Sequence, residues 1–474
     1  MIQLRDYQKQ AKTNIRNSFL QKKQRVILQL PTGSGKTVIF TDIAKSVSEL
    51  GKKAIVFTDR KELLKQAGGT FEKFGLKPKY LNAEAKNITD AGLYVAMIET
   101  MKRRIDKPGY ADFIQGFDLI IIDEAHKQNF DKIFQHLGKN QYVIGATATP
   151  YRDGKMKPLK DYYDEIIIGN QIKQLIATGH LCDVIHYGVP IQGLDKVKIT
   201  RGDFDEKQMG ELYQDVKLFA GVVSNYKKHC NGKKALLFCA TVKNSISMTE
   251  QLNAEGIPAM HLDATTPKSE REKILQNFAD NRFKVLSNVG ILTTGYDQPD
   301  IEVIITYRAT RSLPLWLQMC GRGSRPSPGK NRFTILDFGE NTKRHGFWND
   351  DRKWTLENAK PPKKKGAAPV KECKGCGALI HNNTIICPYC EFEHVKEVKP
   401  KSYVEIMLQQ MTPSEVQRNN WNVYEIEQVR LAKGYKLGWV CHRLKTLEDF
   451  QDYERLRGFK KGWSHFNFRK YVRN

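Results

Sequence analysis

Residues 25–37 read Arg-Val-Ile-Leu-Gln-Leu-Pro-Thr-Gly-Ser-Gly-Lys-Thr. The first six are an apolar run with β-branched residues, which predicts a strand over 25–30. Gly33, Ser34 and Gly35 follow as a turn of small residues, and a helical pattern runs over about 36–50. Strand, small-residue turn and helix in this order form a loop suited to phosphates. Backbone N–H groups close around the oxygens, and the helix N-terminus adds its positive dipole. In such a loop Lys36 reaches the β- and γ-phosphates and Thr37 ligates Mg²⁺, so ATP and Mg²⁺ are expected. The strict pattern has Gly at its first position; this chain has Leu30 there.

The pattern extends on both sides of the loop. Residues 53–58, 118–122 and 142–146 are short and almost wholly apolar. Such runs suit a parallel sheet covered on both faces. A second array follows after about residue 212, with strands at 235–239, 283–288, 302–306 and 333–337 and helices over 241–255 and 267–279. Two successive βα arrays imply two α/β domains. Asp123-Glu-Ala-His126 directly follows the strand at 118–122. Asp123 then stands at the C-terminal end of a parallel strand, where a Mg²⁺-water ligand belongs, and Glu124 can act as general base. The bland alternative, the acidic start of a surface helix, does not account for the preceding strand.

The 474 residues carry 77 Lys+Arg against 52 Asp+Glu, a net charge of +25. That balance points to a polyanionic partner, nucleic acid above all. No apolar run approaches the ~18 residues of a membrane span, and the first residues lack the apolar core of a signal peptide. The expectation is a cytoplasmic protein without membrane contact. Of nine cysteines, Cys182, Cys230, Cys239, Cys320 and Cys441 are scattered, and Cys239 and Cys320 read as small core residues. Cys373, Cys376, Cys387 and Cys390 form two CxxC pairs ten residues apart. With no sign of secretion, this spacing predicts a four-thiolate Zn²⁺ ribbon rather than disulfides. His381 and His394 lie nearby and read as surface residues.

Residues 360–371 are rich in Lys, Pro and small residues, which predicts a linker. The segment 351–474 holds 24 Lys+Arg and 14 Asp+Glu, so positive charge is densest there. It contains a repeat. Gly434-Tyr-Lys-Leu-Gly-Trp439 recurs as Gly458-Phe-Lys-Lys-Gly-Trp463, each after a possible helix at 423–433 or 446–457. Two readings stand side by side: helix-end turns around a small aromatic core, or a basic-aromatic surface for nucleic acid or a protein.

The phosphate loop, Asp123–His126, Thr147-Ala-Thr-Pro150 and Gln318-Met-Cys-Gly-Arg-Gly-Ser-Arg325 occur in the order found in superfamily 2 helicases and translocases. Over about residues 1–345 the chain resembles that family. The resemblance implies two RecA-like domains with ATP in the cleft between them and nucleic acid across their top. The expected organisation is domain 1 over 1–190, a connector over 191–211, domain 2 over 212–345, a linker over 346–371, the ribbon over 372–396 and a mainly helical tail over 397–474. By the same resemblance, Arg5 and Gln8 recognise adenine. Arg60 and Thr100 grip the nucleic-acid backbone. His126, Thr147, Thr149 and Gln318 couple hydrolysis to movement. Thr293, Gly295 and Asp297 belong to a motif that touches nucleotide and nucleic acid, with Asp297 on the ribose. Arg325, assisted by Arg322, serves as an arginine finger; the two share a face if that stretch is helical.

The ribbon and the Gly-Tyr-Lys-x-Gly-Trp segment make the whole chain similar to the RadD group of bacterial and phage DNA-repair ATPases. That narrower likeness implies repair or recombination, DNA rather than RNA, and docking to single-strand-binding protein. An RNA helicase and the translocating subunit of a restriction assembly are the alternatives.

Overall fold

Strands that are apolar on both faces need cover on both sides, and the chain supplies it twice. The structure is a computed structural model. It describes residues 3–59, 69–85, 90–152, 156–200, 202–214, 216–293, 295–357, 370–394 and 421–472. The chain divides into two units, Met1–Val395 and Lys396–Asn474.

In the first unit, seven strands form one sheet: β1 (Arg25–Gln29), β2 (Ala54–Thr58), β3 (Lys79–Leu81), β4 (Leu93–Met97), β5 (Leu119–Asp123), β6 (Tyr142–Thr147) and β7 (Glu165–Ile168). Their order is β3-β4-β2-β5-β6-β1-β7, and every pairing is parallel. Val26, Ile27, Ile55, Val56, Ile120 and Ile121 are wholly buried, as strands covered on both faces demand. Helix α1 (Asp6–Leu20) precedes β1, and α2 (Lys36–Glu49) follows it.

The second sheet is also parallel throughout. It contains β8 (Asp183–Gly188). After a short antiparallel hairpin, β9 (Ile199–Thr200) with β10 (Asp203–Phe204), it continues with β11 (Ala235–Cys239), β12 (Ala259–Leu262), β13 (Val285–Asn288), β14 (Val303–Tyr307) and β15 (Arg332–Asp337). The order is β12-β13-β11-β14-β15-β8. Helix α3 (Leu313–Cys320) sits between β14 and β15. Cys239 and Cys320 are fully buried, as expected of small core residues.

Three segments differ from the sequence reading. Residues 183–188, expected in domain 1, pair along β15 at the edge of the second sheet. Only Val184 and His186 of this strand are buried, as suits an edge position. The segment 191–211, expected as a polar connector, is part of the second lobe: Ile191, Leu194 and Met209 are buried in its core with Tyr213. The expected linker begins instead as a strap. Trp348 is buried against Phe333. Trp354 Nε1 then donates to Gln171 Oε1 at 3.2 Å. Asp351 pairs with Lys173 at 2.9 Å, and Glu357 with Lys160 at 2.8 Å. The Lys160 N–H donates to the Leu356 carbonyl. The chain therefore returns from the second lobe to the first before residue 358. The apolar anchors Trp348, Trp354 and Leu356 explain why this stretch is not loose.

The ribbon is a small antiparallel pair, β16 (Val370–Glu372) and β17 (Leu379–His381). It packs on β8, where Tyr389 Oη donates to the Val184 carbonyl at 3.1 Å. Among the described residues, no helix is long and apolar enough to cross a membrane.

In the second unit, helices α4 (Val423–Lys433), α5 (Leu437–Cys441), α6 (Leu447–Arg457) and α7 (Trp463–Tyr471) surround a core of Ile426, Val440, Leu444, Phe450 and Tyr453. Asn422 and Thr446 cap α4 and α6, each in a reciprocal box with the third helical residue. Gly434 and Gly458 end those helices at φ 65° and 63°, left-handed positions that glycine fills without strain. The Glu427 carboxylate is 4 % exposed. It accepts from Arg430, from the Tyr453 hydroxyl and from Arg457, joining the two repeats.

Candidate active site and metal centre

The loop between β1 and α2 closes as its sequence requires. Gly33 and Gly35 take φ 86° and 78°, a region costly for any residue with a Cβ. Lys36 Nζ donates to the carbonyls of Leu30 and Pro31 at 3.1 and 3.2 Å. The Ser34 carbonyl accepts from Tyr7 Oη at 2.6 Å and from Gln8 Nε2 at 3.1 Å. Gln8 Oε1 accepts from the Arg5 N–H. Helix α1 is thereby fastened to the loop, with Gln8 buried and Arg5 exposed. A Cβ at Gly35 would stand 2.6 Å from Gln8 Nε2, so that glycine makes room for the glutamine.

Sheet order places β6 beside β1 and β5 next beyond it, all parallel, so their C-terminal ends lie at the same edge as the loop. Asp123 ends β5, and Glu124 follows at φ 52°, a strained value for a non-glycine residue. Glu124 Oε2 is buried without a hydrogen-bond partner and lies 3.5 Å from His126 Nδ1. His126 Nδ1 is 2.8 Å from Thr147 Oγ1, which also accepts from the Thr149 N–H. Burial first, and then the Glu124 carboxylate, raise Asp123 to about 7, against the opposing pull of Lys36. Burial lowers His126 to about 4, so its ring is neutral at pH 7.

The second lobe closes over this corner. A Cβ on Gly33 would meet Leu181 Cδ2 at 3.2 Å and Ser324 Oγ at 3.3 Å. A Cβ on Gly321 would stand 2.8 Å from Thr32 Cβ. Arg322 and Arg325 both donate to the Tyr296 carbonyl, at 2.6 and 3.0 Å. Arg325 also pairs with Asp297 at 2.6 Å. The conditional expectation of a shared helical face is corrected here: α3 ends at Cys320, Arg322 lies in the turn that follows, and Arg325 in the irregular stretch after that turn. Their common carbonyl aligns them instead. Burial lowers the Lys36 pKa; Glu124 and Asp123 act to raise it, and Arg322 and Arg325 act to lower it further. The four other charged groups expected of the site therefore all act on Lys36, and a Cβ on Gly33 beside it would lie 3.7 Å from Arg325 Cγ.

The remaining expected residues are distributed around this centre. Thr293 Oγ1 donates to the Gly290 carbonyl at 2.8 Å, and Gly295 has φ 76°. Gln318 is buried in α3 with its Nε2 unpartnered, and Thr100 is buried in the helix Ile98–Arg104. Arg60 lies outside the described residues.

Three supports escaped sequence reasoning. Arg152 is 2 % exposed. It donates to the carbonyls of His126 and Lys127 and pairs with Asp131 at 2.7 Å, fixing the loop after β5. Tyr7 anchors the phosphate loop. Cys182, read as a scattered cysteine, donates its N–H to the Ser324 carbonyl at 2.7 Å and positions the arginine turn. Only the place of Arg152 just after Thr147–Pro150 could have hinted at its task.

Hard oxygen donors from Asp123 and Thr37, beside a buried and unpartnered Glu124 oxygen, suit Mg²⁺. The four cysteines suit zinc. Their sulfurs all lie within 4.8 Å of one another, with Cys373–Cys390 at 3.6 Å and Cys376–Cys387 at 3.9 Å. A tetrahedron with Zn–S of ~2.3 Å has edges of ~3.8 Å. Gly375 lets the first knuckle approach Phe392, since a Cβ there would stand 2.9 Å from it. His381 is half exposed on Asp350, and His394 packs against Phe392.

Comparison with known proteins agrees with this geometry. Residues 1–152 match the family described as type III restriction enzyme, res subunit, and residues 217–327 match the helicase conserved C-terminal domain. A 51.5 kDa protein of a Lactococcus phage is 31 % identical over 79 % of this chain and 79 % of its own length. IRC3 of Saccharomyces cerevisiae, provisionally named an ATP-dependent helicase, is 31 % identical over 71 % of this chain, which spans 51 % of it. A fragment of a provisionally assigned HsdR subunit of a type I restriction enzyme from Vibrio vulnificus shares the fold. Its TM-score is 0.58 at 24 % identity, over 72 % of this chain and 65 % of that one. The chain belongs to the superfamily 2 helicases and translocases. It is an ATP-hydrolysing, nucleic-acid-dependent enzyme, similar along most of its length to the phage protein.

Proposed function

We propose that the chain is an ATP-driven DNA helicase or translocase acting in repair, recombination or replication. The observation that carries the reading is the convergence of Lys36, Asp123 and Glu124 of one lobe with Arg322 and Arg325 of the other. In this reading Lys36 leaves the Leu30 and Pro31 carbonyls for the β- and γ-phosphates, with Gly33, Ser34 and Gly35 supplying backbone N–H groups. Thr37 and Asp123 hold Mg²⁺, which supplies charge neutralisation at the phosphates. The unpartnered Glu124 oxygen orients the attacking water and takes its proton. Arg325, exchanging Asp297 for the γ-phosphoryl oxygens, and Arg322 stabilise the charge that develops there. Asp297 is then free for the ribose. Arg5 and Gln8 lie at the adenine end.

Both arginines come from the second lobe, so turnover requires closure. His126, Thr147, Thr149 and Gln318 relay closure to the nucleic-acid face, where Arg60, Thr100 and Thr293 hold the strand. The four cysteines hold one zinc, and 1–182 and 183–345 act as the moving bodies. The +25 charge favours a nucleic-acid track, and the phage relative favours a phage or bacterial setting.

The test compares ATPase stimulation by single-stranded DNA, duplex, forked DNA and RNA. DNA should stimulate most; stimulation by RNA alone would overturn the choice of substrate. Glu124→Gln should lower turnover by about 10²–10⁴-fold while ATP still binds. A second reading, translocation without unwinding, draws on a further relative, the EcoKI type I restriction endonuclease subunit of Escherichia coli, 24 % identical over 70 % of this chain and 34 % of its own length. A strand-displacement assay on the purified chain separates the two.

A further inference from the structure

The repeat in the second unit provides its own internal comparison. Tyr435 and Trp439 stand with ring centres 4.7 Å apart at 35°. Their counterparts Phe459 and Trp463 stand 4.7 Å apart at 32°. The same pair has been built twice, but its surroundings differ. The second pair is roofed by the core: Trp463 meets Tyr453 at 5.8 Å and Phe450 at 6.2 Å. At the matching positions the first copy has Val429 and Ile426. Trp439 is partly buried against the core as Trp463 is, but its partner Tyr435 is 41 % exposed and neighbouring Trp421 46 % exposed, whereas Phe459 is partly buried. Trp421 stands 6.5 Å from Trp439. The Arg443 guanidinium lies 3.8 Å above the Trp439 ring, where the second copy has Asn467.

A groove of about 670 Å³ opens beside these rings, lined by Trp421, His442, Arg443 and Lys445. Asp449 also lines it, but its carboxylate accepts from the backbone N–H groups of Lys445 and Thr446. With Arg443 and Lys445 against the single carboxylate of Asp449, the lining is cationic on balance and carries the Trp421 ring.

We propose that this face of the first repeat is a second nucleic-acid site, one that takes single strands and lies outside the motor lobes. Bases stack on the exposed rings of Trp421 and Tyr435, and the phosphates lie against Arg443 and Lys445. Stacking on aromatic faces combined with cations along the backbone is how sequence-tolerant single-strand sites are made. A double helix hides its base faces and could not use the rings. The second copy, with both rings partly buried against Phe450 and Tyr453, helps keep the module folded. The proposal rests on the motor reading only for the nature of the track.

The test measures binding of a labelled oligothymidylate to the full chain without nucleotide, across a salt series. Trp421→Ala with Tyr435→Ala should weaken binding about tenfold or more. Arg443→Ala should weaken it and reduce the salt slope by about one. Phe459→Leu, in the second copy, should leave affinity unchanged. Turnover at saturating DNA should be unaltered in all of these, with more DNA needed to reach it in the first two. Wild-type affinity and salt slope in the Trp421/Tyr435 and Arg443 variants, with helical content retained, overturn the proposal. So does intact strand binding with loss of a protein partner. ATPase activity indifferent to every nucleic acid would count against the motor reading alone, because strand binding is read separately.

Discussion

Replacing Gly321 with alanine should hold the two lobes apart without unfolding either. Gly321 has φ −61°, so its backbone accepts alanine. The new Cβ would stand 2.8 Å from Thr32 Cβ and 3.0 Å from its Cγ2. Carbon atoms prefer ~3.5–4.0 Å, so relief requires a shift of about 1 Å across the cleft. Arg322 is the next residue and Arg325 follows three later, so the shift reaches both guanidinium groups. Misplacing a catalytic group by about 1 Å costs on the order of a hundredfold in rate. We expect kcat for ATP, by phosphate release at saturating nucleic acid, to fall about a hundredfold. Binding of a fluorescent ATP analogue, made mainly by the first lobe, should change little, and the melting temperature should hold. Adding Thr32→Gly removes the obstructing carbon and should restore part of the rate. An unchanged kcat would refute the reasoning, because the lobes would then react in some other approach. Loss of ATP binding together with kcat would also refute it.

Other outcomes test separate parts of the chain. Freshly purified protein should carry one zinc per chain, and Cys373→Ser should lose it; metal analysis decides. Tyr453→Phe removes a hydroxyl donor from buried Glu427 and should destabilise the second unit by about 1.5–3 kcal/mol in denaturant melts. Arg430 first, with Tyr453 and Arg457, holds the Glu427 pKa below its ordinary 4.5. A lowered carboxylate stabilises the fold fully above its unfolded value and loses that contribution as pH falls through the folded one. Melting of the second unit should therefore weaken below about pH 4.5, and Glu427→Gln should flatten that decline.

Short-range chemistry was the legible part of this sequence. The run at 25–37 named its strand, turn and helix because each rests on neighbouring residues, and the strands at 54–58, 119–123 and 235–239 followed from apolar content alone. The same holds for the C-caps at Gly434 and Gly458. What stayed hidden depended on partners distant in sequence. The edge strand at 183–188 is defined by β15, about 150 residues later. Arg152 looks like any surface arginine until β5 and β6 bring His126 and Asp131 to it. The shared helical face conditional on a helix through 322–325 does not form, because the helix ends at Cys320 and a carbonyl at Tyr296 aligns the two arginines. The tail repeat was visible, but that Tyr435 stands more exposed than Phe459 depends on Phe450 and Tyr453 packing against Trp463.

The strap from Trp348 to Glu357 has a mechanical consequence. The chain crosses between lobes once before β8 and crosses back along this segment. A pull exerted on one lobe by a gripped strand is thus shared by one covalent crossing and one non-covalent docking of the strap. Each bears less of the tension, and swinging about either is limited by the other. Cutting the chain before β8 would leave the lobes joined only by the strap's hydrogen bonds, ion pairs and Trp354, so a nicked motor should come apart at a lower denaturant concentration than the intact chain unfolds.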